Sequence, residues 1–296
     1  MRIALLSRNA KLHSTARLVE SARALGHEVD VIDPIGCVLV ISRYTHKMYA
    51  RGREMRGYDV VIPRIGASIT DYGLAVVTYF ERAGVPSVNS GLSIARSRDK
   101  LRALQYLSAH DVGIPRTAMA RTPEAIRAAV DAVGGTPVII KLLQGTQGVG
   151  VMIAESAAAV ESTIDTLWGL GQNIILQEFI AESKGRDIRA LVVGGELVAA
   201  MRRTAKKGEF RSNLHRGGLG ERIELSPEYA RAALDAARIM GLGVAGVDML
   251  ESKEGPRVIE VNSSPGLKGV ERATGIDVAR RIIQHAEKLA VRRRQA

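Results

Sequence analysis

Two short apolar runs near the end of the chain restrict the fold more than any other stretch. They are Gly246-Val247-Asp248-Met249-Leu250 and Val258-Ile259-Glu260-Val261-Asn262. A turn-forming segment over residues 252–256 joins them, so they read as an antiparallel hairpin. Side chains alternate across a strand, which puts Glu260 and Asn262 on one face, and pairing brings Asp248 opposite. Carboxylate and amide oxygens are costly to bury among apolar neighbours unless something binds them. Hard cations such as Mg²⁺ or Mn²⁺ take such oxygens and would in turn bridge nucleotide phosphates. The competing reading is a polar face turned to solvent. The apolar flanks favour a partly buried metal set of Asp248, Glu260 and Asn262.

Upstream, the chain alternates strand-like and helix-like segments. Residues 2–7 read as a buried strand, followed by a helix stopped at Gly26 and a second strand over 28–32. Such an order suggests a parallel sheet. A strand over 58–63, a helix over 71–83 and a strand over 85–89 continue the pattern. The first strand-to-helix turn, Ser7-Arg8-Asn9-Ala10-Lys11, lacks G-x-G-x-x-G, so this part reads as a scaffold and not as a dinucleotide site. A basic amphipathic helix is expected over 95–110. Thr122 and Pro123 open another helix as N-cap and first helical residue. Strands are expected over 137–142, 149–154, 174–178, 187–193 and 196–202, helices over 156–167, 227–240 and 276–289, and a polar loop over 206–220. The tail from 291 is expected to fray.

Four more groups carry possible chemistry. Gln144-Gly145-Thr146-Gln147-Gly148-Val149-Gly150 is glycine-rich, with strands on both sides and no Gly-Lys-Ser/Thr, so it fits a hairpin loop able to close over phosphates. An ordinary flexible hairpin would read the same way. Lys141 ends the strand before it, and Lys100 sits in a basic helix; both are candidate phosphate ligands. Glu178 and Phe179 end a strand where backbone groups suit an adenine edge, and Asp187 suits ribose hydroxyls. The run Arg211-Ser212-Asn213-Leu214-His215-Arg216-Gly217-Gly218 follows Arg202, Arg203, Lys206 and Lys207. A basic loop of this kind suits an anionic substrate or an acyl phosphate. It lacks the interleaved aromatics that nucleic-acid stacking uses, so direct nucleic-acid binding is not expected.

Composition bounds the setting. The 296 residues, 46% hydrophobic and 25% charged, suit a globular enzyme of about two domains. Only 4% are aromatic, so aliphatic residues must build the core. Lys and Arg number 42 against 31 Asp and Glu, a net charge of +11 that attracts acidic partners. Cys37 is the lone cysteine and cannot form an internal disulfide. It is expected to be a small buried residue. The first residues are too short an apolar run for a signal peptide, and no apolar stretch of membrane-spanning length occurs, so a cytoplasmic protein is expected.

Taken together, these residues resemble the ATP-grasp superfamily and, within it, the RimK family of ribosomal-protein glutamate ligases. The resemblance covers essentially the whole chain. It is carried by PRIG from Pro63, ARSRDKLR from Ala95, VIIKLLQGTQGVGV from Val138, FRSNLHRGG from Phe210, AGVDML from Ala245 and EVNSSPGLKGVE from Glu260. FRSNLHRGG with TGID from Thr274 is the part most specific to the RimK type. The resemblance implies an α/β (α+β) ATP-grasp fold in three parts. These are a Rossmann-like pre-ATP-grasp domain over 1–94, a central lid over 95–171 and a catalytic domain over 172–290, with a tail over 291–296. It implies ATP contacts from Lys141, Glu178, Phe179, Asp187, Arg211, Ser212 and Asn213, to which the reading of the basic helix and the glycine-rich loop adds Lys100, Gly145 and Gly148. It implies two Mg²⁺ or Mn²⁺ ions, one on Asp248 and Glu260, the other on Glu260 and Asn262. Where the family pattern reads Asn-Ala-Ser-Pro, this chain has Ser263 in second place.

The expected reaction is transfer of the ATP γ-phosphoryl group to the C-terminal carboxylate of an acceptor, then attack by the amine of L-glutamate. Catalysis would rest on positioning and charge, with Lys141, Arg203, Arg211 and Arg216 as the catalytic cations. The expected acceptor is a small-subunit ribosomal protein with an acidic tail, and the enzyme is expected to be a homo-oligomer that does not meet a membrane. Two rival readings stand. One is an ATP-grasp ligase with another acceptor, such as a cofactor tail, a carrier protein or free glutamate. The other is a non-enzymatic RNA- or ribosome-binding protein, which would show salt-dependent binding and no ATP turnover.

Overall fold

The computed structural model describes residues 1–143, 150–206, 209, 212 and 218–295. Apolar β-type runs at the N-terminus form strand β1 (Arg2–Leu6), helix α1 (His13–Ala24) and β2 (Glu28–Ile32). A hairpin follows, β3 (Cys37–Ile41) and β4 (His46–Ala50), with the short β5 (Arg53–Glu54), then β6 (Val60–Pro63) and α2 (Thr70–Arg82). Strands β2, β1 and β6 make a parallel sheet in that order. The β3–β4 hairpin was not expected from the sequence pattern. Val38, Val40 and Ile41 are exposed on it and Cys37 is half-buried, so the apolar run there does not mark a core. Burial pushes the Cys37 thiol up to about 11, which leaves it protonated and unreactive.

Residues 85–89 were expected to be a strand, yet among the described residues they form only isolated bridges, Ser87 with Val61 of β6 and Asn89 with Leu242 ahead of the last strand pair. Pro86 has no N–H to extend a ladder. The expected 95–110 helix is two helices, α3 (Gly91–Arg98) and α4 (Lys100–Ser108). Asp99 separates them: its backbone is extended and its carboxylate accepts from the Arg102 N–H at 3.0 Å, capping α4.

The next segment contains β7 (Thr117–Ala118), α5 (Pro123–Ala132), β8 (Val138–Leu142), β9 (Val151–Ala154), α6 (Ala157–Gly169) and β10 (Ile174–Glu178). Its sheet runs β7-β10-β8-β9, with β8 and β9 antiparallel around the glycine-rich segment. Val138, Ile140, Ile174 and Leu176 face α5 and α6 in one apolar cluster, which leaves Ile139 and Lys141 on the other face of β8. Strand β10 is central in this sheet and pairs with β7 and β8, so it lies with these elements although the expected division at 171 precedes it.

The last unit comprises β11 (Arg186–Val193), β12 (Glu196–Thr204), β13 (Leu219–Arg222), α7 (Pro227–Ile239), β14 (Val244–Ser252), β15 (Gly255–Asn262), α8 (Lys268–Thr274) and α9 (Val278–Gln295). The sheet order is β13-β12-β11-β14-β15. Ile188, Ala190 and Val192 pack with Ala233, Ala236 and Ala237 of α7. The other face of β11 divides along its length. Leu191 and Val193 join Ile3, Leu5, Val60 and Ile62 of the first sheet in one core, whereas Asp187 and Arg189 lie at the far end. Helix α9 continues to Gln295, past the expected fraying point, and Arg293 donates to the Tyr58 carbonyl at 3.1 Å. Among the described residues no helix is long and apolar enough to cross a membrane.

Asn89 stitches the first unit to the last. Its Nδ2 donates to the carbonyls of Val244 and Ser263, both at 2.8 Å, and its Oδ1 accepts from the Val244 N–H at 2.9 Å. The residue is buried, so Asn89→Ala leaves three backbone groups without their partner. Urea unfolding should show a loss of about 2–4 kcal/mol, and a change below 1 kcal/mol would refute this role.

Candidate active site

The final strand pair is the hairpin expected from the sequence. Strands β14 and β15 pair antiparallel, with Asp248 opposite Glu260 and Gly246 opposite Asn262. The register shifts just after Asp248, which makes Ile259 an extra residue on β15 beside the site. Gly246 is required here, because a Cβ on it would come within 2.8 Å of Pro265. Asp248 is buried and Glu260 is exposed. Asn262 is half-buried, with Nδ2 3.5 Å from the Gly246 carbonyl. Two carboxylates and an amide thus share one sheet face. Among the described residues no larger cluster of His, Cys, Asp and Glu is placed to share a metal ion.

Asp248 belongs to a charged row that the sequence only half disclosed. Strand register puts Arg189 opposite Asp248 and Arg203 opposite Asp187. Arg189 donates to Asp248 through Nε at 2.6 Å and Nη2 at 2.5 Å. Arg203 donates to both oxygens of Asp187, at 2.5 and 2.6 Å, and its Nη2 lies 3.0 Å from Asp248 Oδ2. Burial works to raise the Asp248 carboxyl, but Arg189 and Arg203 outweigh it and hold the group below the usual carboxylate range. Burial likewise opposes the Arg203 charge, and Asp248 and Asp187 more than restore it. Arg203 therefore positions two carboxylates and does not point into open space. Asp187, expected to meet a ribose, has both oxygens engaged by Arg203. Arg189 is a partner of Asp248 to which the sequence pattern gave no role. Its signal was available, because it lies two residues after Asp187 and so on the same strand face.

Above this face, the lid contributes Lys141. Its Nζ donates to Gln177 Oε1, and Gln177 Nε2 donates to Thr117 Oγ1 at 2.9 Å. Burial pushes the Lys141 ammonium down to about 8, although Glu260, Asp248 and Asp187 lie close enough to favour its charge. Lys100 opens α4 and donates to the carbonyls of Leu142 and Leu143, both at 3.2 Å, at the end of β8. Burial also lowers Lys100, with Glu260 working the other way. Glu178 accepts from Arg116 through both side chain, at 2.9 Å, and backbone, at 3.1 Å. Its hydrogen bond from Arg116 holds it below the usual range. Phe179 follows it, half-buried, and Ser212 is buried. Gly145, Gly148, Arg211, Asn213 and Arg216 lie outside the described residues.

A cleft of about 450 Å³ opens beside Glu260 and Asn262. Its walls come from all three parts of the chain: residues 67–72, the α3–α4 junction with Lys100, and residues 260–264. Residues 97–286 match the RimK-like ATP-grasp domain family, and residues 1–94 match the RimK PreATP-grasp domain. The chain belongs to the RimK-like ATP-grasp family. A probable alpha-L-glutamate ligase of Marinomonas sp. is 54% identical over 290 residues, which cover 98% of this chain and 96% of that protein. Among solved structures, the ATP-grasp ligase PsnB complexed with minimal precursor, Mg and ADP superimposes with a TM-score of 0.76. It is 21% identical and covers 98% of each chain. A RimK domain protein from Sphaerobacter thermophilus gives 0.72 at 23% identity, with 97% of this chain and 100% of that one covered. At these identities the two structures establish the ATP-grasp fold.

Proposed function

We propose that this chain is an ATP-dependent carboxylate–amine ligase that adds L-glutamate to the C-terminus of an acidic-tailed small-subunit ribosomal protein in the cytoplasm. The observation that carries the reading is the register of β14 and β15, which sets Asp248 across from Glu260 with Asn262 on the same face, next to Lys141. The relatives' name, alpha-L-glutamate ligase, supports glutamate as the added amine. The PsnB complex with precursor, Mg and ADP supports a nucleotide, a divalent cation and a peptide acceptor.

The oxygen donors fit hard cations. Asp248 and Glu260 would hold one, and Glu260 and Asn262 a second, with Asp248 giving up part of its contact with Arg189 and Arg203. Bound Mg²⁺ or Mn²⁺ would supply positive charge to the triphosphate. Lys141 and Lys100 would neutralise phosphate oxygens from the lid side. In the first step an acceptor carboxylate oxygen attacks the γ-phosphorus, the bond to the β-phosphate oxygen breaks, and ADP leaves. In the second the glutamate amine attacks the acyl carbon, inorganic phosphate departs, and the amine loses a proton. No covalent enzyme intermediate is required, so catalysis rests on alignment and charge. The net charge of +11 favours encounter with ATP, glutamate and an acidic tail, all anions.

Intact-mass measurement of the small-subunit ribosomal protein after incubation with enzyme, ATP and glutamate tests the reading. Increments of one glutamyl residue are expected, and an unchanged mass with ATP turnover on another acceptor would overturn the choice of acceptor. A pH series tests Lys141. With its pKa pushed to about 8, the ammonium is mostly charged at pH 7 and mostly neutral at pH 9. ATP affinity should therefore fall about tenfold over that range. Lys141→Met should bind weakly at both pH values and show a flat profile. A wild-type profile as flat as the variant's would remove Lys141 from the phosphate site.

A further inference from the structure

The cleft has a second wall that the ligase reading leaves without a partner. Arg98, at the end of α3, donates through Nη2 to the Ile65 carbonyl, and its Nε is buried with no hydrogen-bond partner among the described residues. Ser263 Oγ and Ser264 Oγ are likewise buried and unpartnered. All three residues line the cleft. Ser263 is only 4% exposed, so solvent does not satisfy it. Behind them Arg64 donates to the Pro265 carbonyl at 2.7 Å and so fixes the turn that carries both serines.

The charge is as unbalanced as the hydrogen bonding. Among the described residues neither Arg64 nor Arg98 forms an ion pair. Burial pushes Arg64 down to about 10, and the neighbouring Arg98 charge adds to that. Burial also lowers Arg98, whose one favourable neighbour is Glu260 on the metal face. Two close guanidinium groups and three idle donors are costly when nothing binds them. An anion placed against them would satisfy all three donors and compensate both charges. Lys141 and Lys100 already supply cations on the lid side for phosphate. Arg98, Ser263 and Ser264 line the cleft together with residues 67–72, and a planar two-oxygen group suits a guanidinium edge with hydroxyls near it.

We propose that Arg98, Ser263 and Ser264 form a carboxylate-binding subsite, backed by Arg64, that holds a carboxylate of one of the two substrates. This rests on the ligase reading for the identity of those substrates, free glutamate or the acceptor's acidic C-terminal segment. Both present the same group, and separate binding measurements tell them apart.

The test uses the full chain with ADP and Mg²⁺ present, so that binding is read without turnover. Affinities for L-glutamate and for an acidic C-terminal peptide are measured by calorimetry for wild type and for Ser263→Ala/Ser264→Ala. Arg98→Gln serves as a second variant. The serine hydroxyls have no partner to lose, so the melting temperature of the double variant should stay level. One of the two substrates should bind about 10–100-fold more weakly, while ADP affinity changes less than twofold. Weakening of glutamate alone assigns the subsite to glutamate; weakening of the peptide alone assigns it to the acceptor. Unchanged affinity for both, weakened ADP alone, or no binding of either to wild type overturns the subsite. A lowered melting temperature with intact binding marks a purely structural role and also overturns it. ADP formation by wild type that does not depend on the acceptor would sink the ligase reading while leaving a binding defect, if seen, to stand.

Discussion

Glu260→Gln should lower ATP-dependent ligation by about 10²–10³-fold with little change in stability. Glu260 is exposed at the cleft wall and lies across from Asp248. The amide keeps the size and shape of the side chain, and no ion pair of Glu260 among the described residues is lost. What disappears is the negative charge shared by both expected cation sites. Steady-state rates at several Mg²⁺ concentrations separate the outcomes. High Mg²⁺ should recover part of the activity if the charge holds metal, whereas an undiminished rate would remove Glu260 from the site. Asp248→Asn should lose a similar amount, but it also strips charge from a carboxylate that Arg189 and Arg203 share, so its stability effect is not small.

Arg203→Ala is expected to cost about 3–5 kcal/mol of folding free energy. Its guanidinium is 3% exposed and bridges Asp187 to Asp248, and its removal leaves Asp187 buried without its partner. Denaturant unfolding checks the size, and a loss below about 1 kcal/mol would show that the row tolerates the gap. The same row sets an acid limit. The Asp248 carboxyl is held below its ordinary value of 3.8 in the folded chain. Its stabilising contribution is therefore complete above that value and is lost as pH falls through the lower, folded one. Acid unfolding should begin below about pH 4. In Arg203→Ala this contribution shrinks, so the acid transition should move to higher pH.

Both predictions turn on a charged row that was only partly legible in the sequence. Asp248, Glu260 and Asn262 could be found because each interrupts an apolar strand, and alternation along the chain is enough to assign their faces. Asp187 and Arg203 also stand out in the sequence, but as a ribose ligand and a catalytic cation. Their mutual engagement depends on β11 pairing with β12, and a strand's partner is not written in its own period. Arg98 and Arg64 lie in strings that carry the family resemblance, yet no pattern gave them a role. In the chain they look like ordinary basic residues, and only the approach of residues 64–65, 98 and 263–265 makes them buried and unpaired.

The elements divide in the same way. The parallel order of the first sheet, the β8–β9 hairpin around the glycine-rich segment and the β14–β15 hairpin followed from local patterns, since turn residues and side-chain alternation act over a few positions. The β3–β4 hairpin did not, because its apolar side chains face outward. The break at Asp99 was missed because capping chemistry overrode a continuous amphipathic pattern. By itself, then, the sequence determined the class of fold, the family and the shared face of Asp248, Glu260 and Asn262, each carried by residues close in the chain. Tertiary structure alone decided that β10 pairs between β7 and β8, that Arg189 and Arg203 clamp Asp248, and that Arg98, Ser263 and Ser264 line one cleft. Those facts join residues far apart in sequence, and burial against a distant partner, not local preference, sets their charge and hydrogen bonding.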